Sequence, residues 1–352
     1  MPPTYLTPSD TARILAAHAE RCANLSLILK RYVPNEVIWN LDVEGAKNQK
    51  WRDQWLRQLC TRFSSENEAL VKLQQSTLDR WTQQTQRAIR FEMRLEGRMV
   101  VGMGEKGSLE TGLTLDHVTG LPFIPGSALK GLCRAYGLYM AAAALGVPVL
   151  MGEQLRWFIA DEKDKPHPTP LELLDALLVI DPAQTEQRQA ALSTLMELMY
   201  RLKQAYAEKI TLNEALDLAA LDSVAESNVY RHAFGSTENA GACVFYNAVV
   251  SALPTNRTLF EADVMTPHFG SYYGDKSAPH DADSPNPINF LGVAAKTRFA
   301  FAVGLRPGIR DEQRVEKVVE WAAEWLRLAL NELGIGSKTS AGYGVFRPVP
   351  TK

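Results

Sequence analysis

The hydrophobic pattern divides the chain into stretches of different period. Trp51, Trp55, Leu56 and Leu59 fall at helical spacing, as do Leu70, Leu73, Leu78 and Trp81 more loosely, which predicts a helical N-terminal extension over residues 1–88. At Ile89 the period drops to two. Ile89, Phe91, Met93 and Leu95 alternate with Arg90, Glu92, Arg94 and Glu96, the signature of a half-buried strand, and the pattern continues through Met99 to Met103. A long glycine-bearing loop follows, and Pro125–Gly126–Ser127 opens a helix predicted to run to Leu145.

Helical spacing returns at Leu171–Leu178 and Leu192–Tyr206, inside a segment of about residues 150–227 that reads as an insertion. Alternation then resumes at Ala242–Val250, Thr258–Met265 and Leu291–Val303. In the last of these Thr297, Phe299, Phe301 and Val303 share a face opposite Lys296 and Arg298. Asp311 is placed to cap a helix whose apolar stripe is Val315, Val318, Val319, Ala322, Leu326, Ala329, Leu330 and Leu333, and Gly334 is placed to end it. A final strand is predicted at Tyr343–Val349. Without its insertions the order is β, α, a block of strands, α, β, so the expected class is α+β. The expected plan is a ferredoxin-like or RRM-like core over residues 89–352, with a helical N-terminal extension and a helical insertion.

Composition adds one distinction to this picture. The net charge of the 352 residues is −2, so any anion-binding surface must be a local patch rather than a global excess. Residues 1–90 carry 13 Lys and Arg against 9 Asp and Glu, whereas residues 150–227 carry 7 against 14, which argues against an RNA-facing role for the insertion. The N-terminus has no basic-then-apolar signal pattern, and the longest apolar stretch, Tyr139–Met151, is too short to span a bilayer. A cytoplasmic protein without membrane contact is expected. Cys22, Cys60, Cys133 and Cys243 lie far apart with no CxxC spacing, which predicts buried free thiols. His268, Asp275, His280, Asp281 and Asp283 could suit a metal, but their scatter reads better as a polar loop. No metal or cofactor is expected.

Two segments carry the candidate chemistry. The first, GIGSKTSAGYG (Gly334–Gly344), combines four glycines, a lysine and hydroxyl side chains directly after a helix, a composition suited to holding phosphate. It is not a Walker A loop: Lys338 follows Ser337 rather than glycine, and the order is helix, loop, strand. Gly342-Tyr343-Gly344-Val345-Phe346 partly matches the RRM aromatic signature without its basic residue. A tight connection that binds nothing is the alternative. The second segment, LPFIPGSALKGLCR (Leu121–Arg134), places Ser127, Lys130, Gly131 and Arg134 on one helix face, with the serine near the N-terminus where the macrodipole favours anions. Gly131 inside a helix implies either a close ligand approach or tight packing on the sheet.

LPFIPGSALKG followed by GIGSKTSAGYG resembles the RAMP superfamily of CRISPR RNA-binding proteins. VMTPHFGSYYGDKSAPHDADSPNPINFLGV (Val264–Val293) resembles the branch that supplies the sixth subunit of the type III-B, or Cmr, effector complexes. HAFGSTENAGACVFYNA (His232–Ala248) fits the same superfamily, with Asn247 where an aspartate is frequent. The resemblance covers about residues 90–350. It implies a non-catalytic subunit of a ribonucleoprotein in antiviral defence, bound to guide RNA near its 3′ end, with target RNA and the other RAMP and small subunits as further partners. Backbone contact is the expected mode, since a guide varies in sequence. Carried onto this sequence, Gly334, Gly336, Ser337, Lys338, Thr339 and Gly342 would line the RNA with Ser127, Lys130, Gly131 and Arg134, loop and helix meeting in a single cradle. His268, Tyr272 and Tyr273 would either stack on splayed nucleotides or pack within their loop.

Catalysis is the competing reading. Backbone RAMP subunits cleave target RNA with an aspartate between the first strand and first helix, where this chain has Glu110, Asp116 and His117. A metal-independent guide-processing nuclease would use a histidine, here His117. Adjacent residues on an extended segment point to opposite sides, so Asp116 and His117 do not converge on one atom, and Asp116 reads as a turn former. A third reading is a protein-only assembly module.

Overall fold

The computed structural model describes residues 5, 7–18, 22–34, 46–104, 112–149, 168–205, 215–236, 239–266, 287–309 and 312–349. Its elements are, in order, α1 (Ser9–His18), α2 (Leu25–Arg31), α3 (Ala46–Thr61), α4 (Glu68–Gln84), β1 (Ile89–Leu95), β2 (Phe123–Ile124), α5 (Gly126–Leu145), α6 (Pro170–Val179), α7 (Thr185–Ala205), α8 (Leu218–Ser223), α9 (Ala225–Phe234), β3 (Cys243–Phe245), β4 (Ala248–Ala252), β5 (Phe260–Met265), β6 (Ile288–Val293), β7 (Arg298–Leu305), α10 (Glu312–Glu332) and β8 (Phe346–Pro348).

The main sheet has the order β2-β4-β7-β1-β8, with β3 also paired to β7, and its pairings are antiparallel. One face is apolar because the period-two residues of its central strands coincide. Phe91 pairs with Phe301 and Met93 with Phe299, and Phe346 of β8 meets Phe299 and Phe301 edge-on at 5.8 and 5.4 Å. Helices α5 and α10 cover this face. A Cβ on Gly137 of α5 would lie 2.5 Å from the Trp325 ring, so that glycine sets how closely the two helices approach. The aromatic signature around Phe346 thus serves the core: its ring is fully buried.

Helix α4 covers part of the opposite face. Trp81 packs on Ala300 and Ala302 and donates its indole N–H to the Asn247 carbonyl at 2.8 Å. The pairing of β4 with β7 shifts between Val250 and Ala252, which frees carbonyls from the ladder, and the buried Gln74 donates to those of Val250 and Ser251. β5 and β6 form a separate hairpin against α3, tied to the chain beyond β1 by the Met99–Val293 bridge.

The structure departs from the sequence expectation in four places, the first being that β1 ends at Leu95 instead of continuing through Met103, with only an isolated bridge at Met99. The alternation over Leu291–Val303 is two strands in two sheets, β6 and β7, separated by a turn in which Lys296 adopts φ +70°. That turn contains neither glycine nor proline, so the apolar pattern runs through it unmarked. The Ala242–Val250 strand is interrupted at Tyr246–Asn247, and both halves line the same edge of β7. The last strand starts at Phe346 rather than Tyr343, because Gly344 has φ +69° and belongs to the preceding loop. Asp311, expected as a helix cap, lies outside the described residues.

Candidate nucleic-acid interface

The glycine loop is built onto the chain just beyond β1. Gly334, at φ +71°, ends α10 and donates its amide to the Ala329 carbonyl. Ser337 then donates to Val100 at 2.8 Å, Gly344 to Arg98 at 2.7 Å, and Ile335 to the Gly344 carbonyl at 2.9 Å, which closes the loop on itself. Gly336 has φ +95°, and a Cβ there would lie 2.3 Å from the Val100 carbonyl oxygen. Gly336 is therefore required by the fold, whereas Gly342 at the tip, φ +84°, has open space around it.

At that tip a single turn of 3-10 helix, Thr339–Ala341, follows Lys338, a non-glycine residue at φ +62°. Among the described contacts the amides of Lys338, Thr339 and Ser340 donate to nothing in the protein. The Lys338 ammonium lies over the rings of Phe290 (4.9 Å) and Tyr343 (5.8 Å) and makes no ion pair among the described residues. Tyr343 is held in turn by Asp263, which also binds Arg98, and Arg98 reaches Glu261 at 2.9 Å. Burial works to raise the Asp263 carboxyl, but the Tyr343 hydroxyl and the Arg98 guanidinium outweigh it and hold the group below the usual range. Arg98 is consequently neutralised by two carboxylates, whereas Lys338 has no carboxylate partner among the described residues. The supporting residues Arg98, Glu261 and Asp263 carry no local motif, and Phe290 is one unmarked position within the Val264–Val293 segment, so sequence inspection does not single them out.

The helix segment behaves differently. Helix α5 starts at Gly126, whose amide donates to Asn247 Oδ1 at 2.8 Å, so the Asn247 side chain already occupies part of the helix N-terminus. Ser127 is exposed in the first turn. Gly131 is exposed, and an added Cβ would meet nothing within 4 Å, which removes sheet packing as its explanation. Arg134 has another occupation: it donates to Tyr230 Oη at 2.8 Å and Asp175 Oδ1 at 2.7 Å, joining α5 to α9 and α6. It is a structural arginine.

The expectation of one cradle formed by loop and helix is also corrected. Lys130 lies one turn into α5, whose first residue, Gly126, packs so closely on the Phe245 carbonyl that a Cβ there would lie 2.1 Å from its oxygen, and the same strand carries Cys243, the partner of Leu305. The glycine loop packs beyond Leu95, which pairs with Thr297 through its amide. Leu305 and Thr297 stand eight residues apart along the strand, roughly 26 Å at ~3.3 Å per residue. Lys130 and Lys338 therefore mark opposite ends of the sheet.

Asp116 forms a turn, its Oδ1 accepting from the amides of Val118 and Thr119 and from the Thr119 hydroxyl. His117 is exposed, and its carbonyl accepts from Asn24. Glu110, His268, Tyr272, Tyr273, Asp275, His280, Asp281 and Asp283 lie outside the described residues. Among the described residues no group of three or more His, Cys, Asp or Glu is arranged to hold a metal ion, and no helix is long and apolar enough to cross a membrane.

Comparison with known proteins places the chain. A family model described as the RAMP superfamily matches residues 92–347. The CRISPR system Cmr subunit Cmr6 of Pyrococcus furiosus is 30% identical over 262 residues, which span 73% of this chain and 67% of that protein. Solved structures similar to it include the type III-B Cmr-beta complex bound to cognate target RNA (16% identity, 88% of this chain and 77% of the other, TM-score 0.47). Another is the crystal structure of Cmr6 from P. furiosus (25% identity, 75% and 98%, TM-score 0.39). The chain belongs to the RAMP superfamily, and within it to the family of the CRISPR system Cmr subunit Cmr6.

Proposed function

We propose that this chain is a non-catalytic RNA-binding subunit of a type III-B CRISPR effector complex, gripping the guide RNA backbone near its 3′ end and capping the filament of backbone subunits. Family membership supports the complex. The order β4-β7-β1-β8 under two helices supports a ferredoxin-like core. The observation that carries the RNA reading is the loop tip: a lysine held over two rings and without an acidic partner among the described residues, beside amides that donate to nothing among them. Free amides and an ammonium on a rigid turn suit phosphate oxygens whatever the base sequence.

Lys338, Thr339 and Gly342 form the contact in this reading, and Gly334, Gly336 and Ser337 shape the loop. Ser127, Lys130 and Gly131 would meet a different stretch of RNA, or a neighbouring subunit, at the far end of the sheet. Asp116 is engaged in its turn, so no observation favours a nuclease. Replacing Lys338 by alanine is expected to weaken binding to guides of unrelated sequence equally, and to reduce the slope of log K against log salt by about 0.7, the value for one single-strand phosphate contact. An unchanged slope in a salt series would remove Lys338 from the interface. RNA cleavage that disappears in Asp116→Ala or His117→Ala would replace this reading with the enzymatic one.

A further inference from the structure

The strand register brings three arginines into line. Arg94 of β1 pairs directly with Arg298 of β7 on one side and with Arg347 of β8 on the other, all on the face opposite the aromatic core. Neighbouring strands are about 4.8 Å apart, so like charges stand side by side across three strands, an arrangement that destabilises a sheet unless something compensates it. Arg298 and Arg347 are exposed. Arg298 makes no hydrogen bond or ion pair among the described residues, Arg94 approaches Glu96 at 3.6 Å, and Arg347 reaches Asn331 at 2.6 Å. The same face carries Arg90 and Lys296 against Glu92 and Glu96, and Glu96 is shared with Lys296 at 3.3 Å. The balance is strongly positive.

Helix α4 closes this face at Ala300 and Ala302 and leaves Arg298 and Arg347 exposed, while Arg94 between them is half-buried, its Nε buried without a partner among the described residues, and Arg347 reaches round the sheet edge to Asn331 of α10. The row also lies at the end of the sheet that bears the glycine loop. Arg94 and Arg347 flank the Leu95–Phe346 pair, Glu96 donates its amide to the Val345 carbonyl, and only Val345 and Phe346 separate Gly344 from Arg347. We infer that Arg94, Arg298 and Arg347 form a second contact surface for the phosphate backbone of single-stranded RNA, continuous with the loop tip around the rim of the sheet. This rests on the RNA-binding reading and extends it. The strand residues flanking the row on this face are charged or small rather than aromatic, so recognition is of the polyanion and not of stacked bases.

The test is a fluorescence-anisotropy titration of the full chain with labelled single-stranded polyuridine over a salt series. Arg298→Gln is expected to make the salt slope shallower by about 0.7. Arg298→Glu is expected to weaken binding by roughly tenfold or more, and Arg298→Lys to retain the slope. Neither replacement of charge should lower the melting temperature, since each relieves repulsion. Unchanged affinity and slope in Arg298→Glu, with Lys338→Ala still weakened, would overturn the arginine surface while leaving the loop reading intact. Unaltered RNA binding with lost association to a partner subunit would make the row a protein-docking surface and overturn the inference likewise. Failure of the unaltered chain to bind RNA at any salt would remove the functional reading and this inference together.

Discussion

Two glycines in the candidate segments illustrate opposite relations between a residue and its surroundings. Gly336 is required by the chain itself, since its φ of +95° and the Val100 carbonyl oxygen 2.3 Å from a would-be Cβ both exclude a side chain. Gly336→Ala is expected to lower stability by roughly 2–3 kcal/mol, combining backbone strain with the displacement of the β1 extension. Gly131 is in a helix interior with open space around it, so Gly131→Ala should raise stability by about 1 kcal/mol through helix propensity alone. Urea unfolding of both variants checks the pair of signs. A stabilised Gly131→Ala chain with weakened RNA binding would show that the position serves an approaching ligand, and a stabilised chain with intact binding would free it of that role. Lys338 lies between these cases: its αL backbone is unusual for a lysine, and the rings of Phe290 and Tyr343 hold the ammonium where the turn presents it.

At the scale of elements, Asn247 joins more of the structure than any local pattern reveals. It sits where the strand along β7 breaks, its carbonyl accepts from Trp81 of α4, and its amide oxygen accepts from the first residue of α5. Asn247→Ala is expected to cost about 1 kcal/mol, the scale of a lost helix-terminal hydrogen bond, whereas Asn247→Asp should retain the contact and interact favourably with the helix dipole. Thermal unfolding of the two variants distinguishes a polar cap from simple steric filling. The faces of β1 and β7, the extent of α5 and the glycine stop of α10 were legible from the sequence because each depends on neighbours a few residues away. Arg134 was not, since Asp175 lies on a helix 41 residues further on, and helical phase places a side chain on a face without naming what covers it. The arginine row was hidden for a related reason: Arg94 and Arg298 were both visible as outward positions, but only register makes them adjacent. The single cradle failed because two motifs rich in small and basic residues carry no information about which end of the sheet each will reach.

Over the whole molecule, the acidic insertion is fastened to the body by arginine–carboxylate pairs rather than by apolar packing alone. Arg134 of α5 holds Asp175 of α6 and Arg231 of α9 approaches Asp222, and within the insertion Arg188 of α7, almost fully buried at 3% exposure, forms two hydrogen bonds to the same Asp222. The Arg188 guanidinium beside it, aided by Arg231, holds the Asp222 carboxyl below the usual carboxylate range. A depressed folded value means stabilisation that is fully present above the unfolded value near ~3.9 and is lost as the pH falls through the folded one. Asp222→Asn should therefore lower stability by roughly 2 kcal/mol at neutral pH, less than the ~3–5 of a fully buried pair because Asp222 keeps 42% of its side chain exposed. The difference from the unaltered chain should shrink as the pH is taken below the unfolded value and the unaltered carboxylate is itself progressively protonated. Urea unfolding over that fall in pH measures it directly. A difference that stays constant with pH would assign the loss to altered packing of Arg188 rather than to the charge of Asp222.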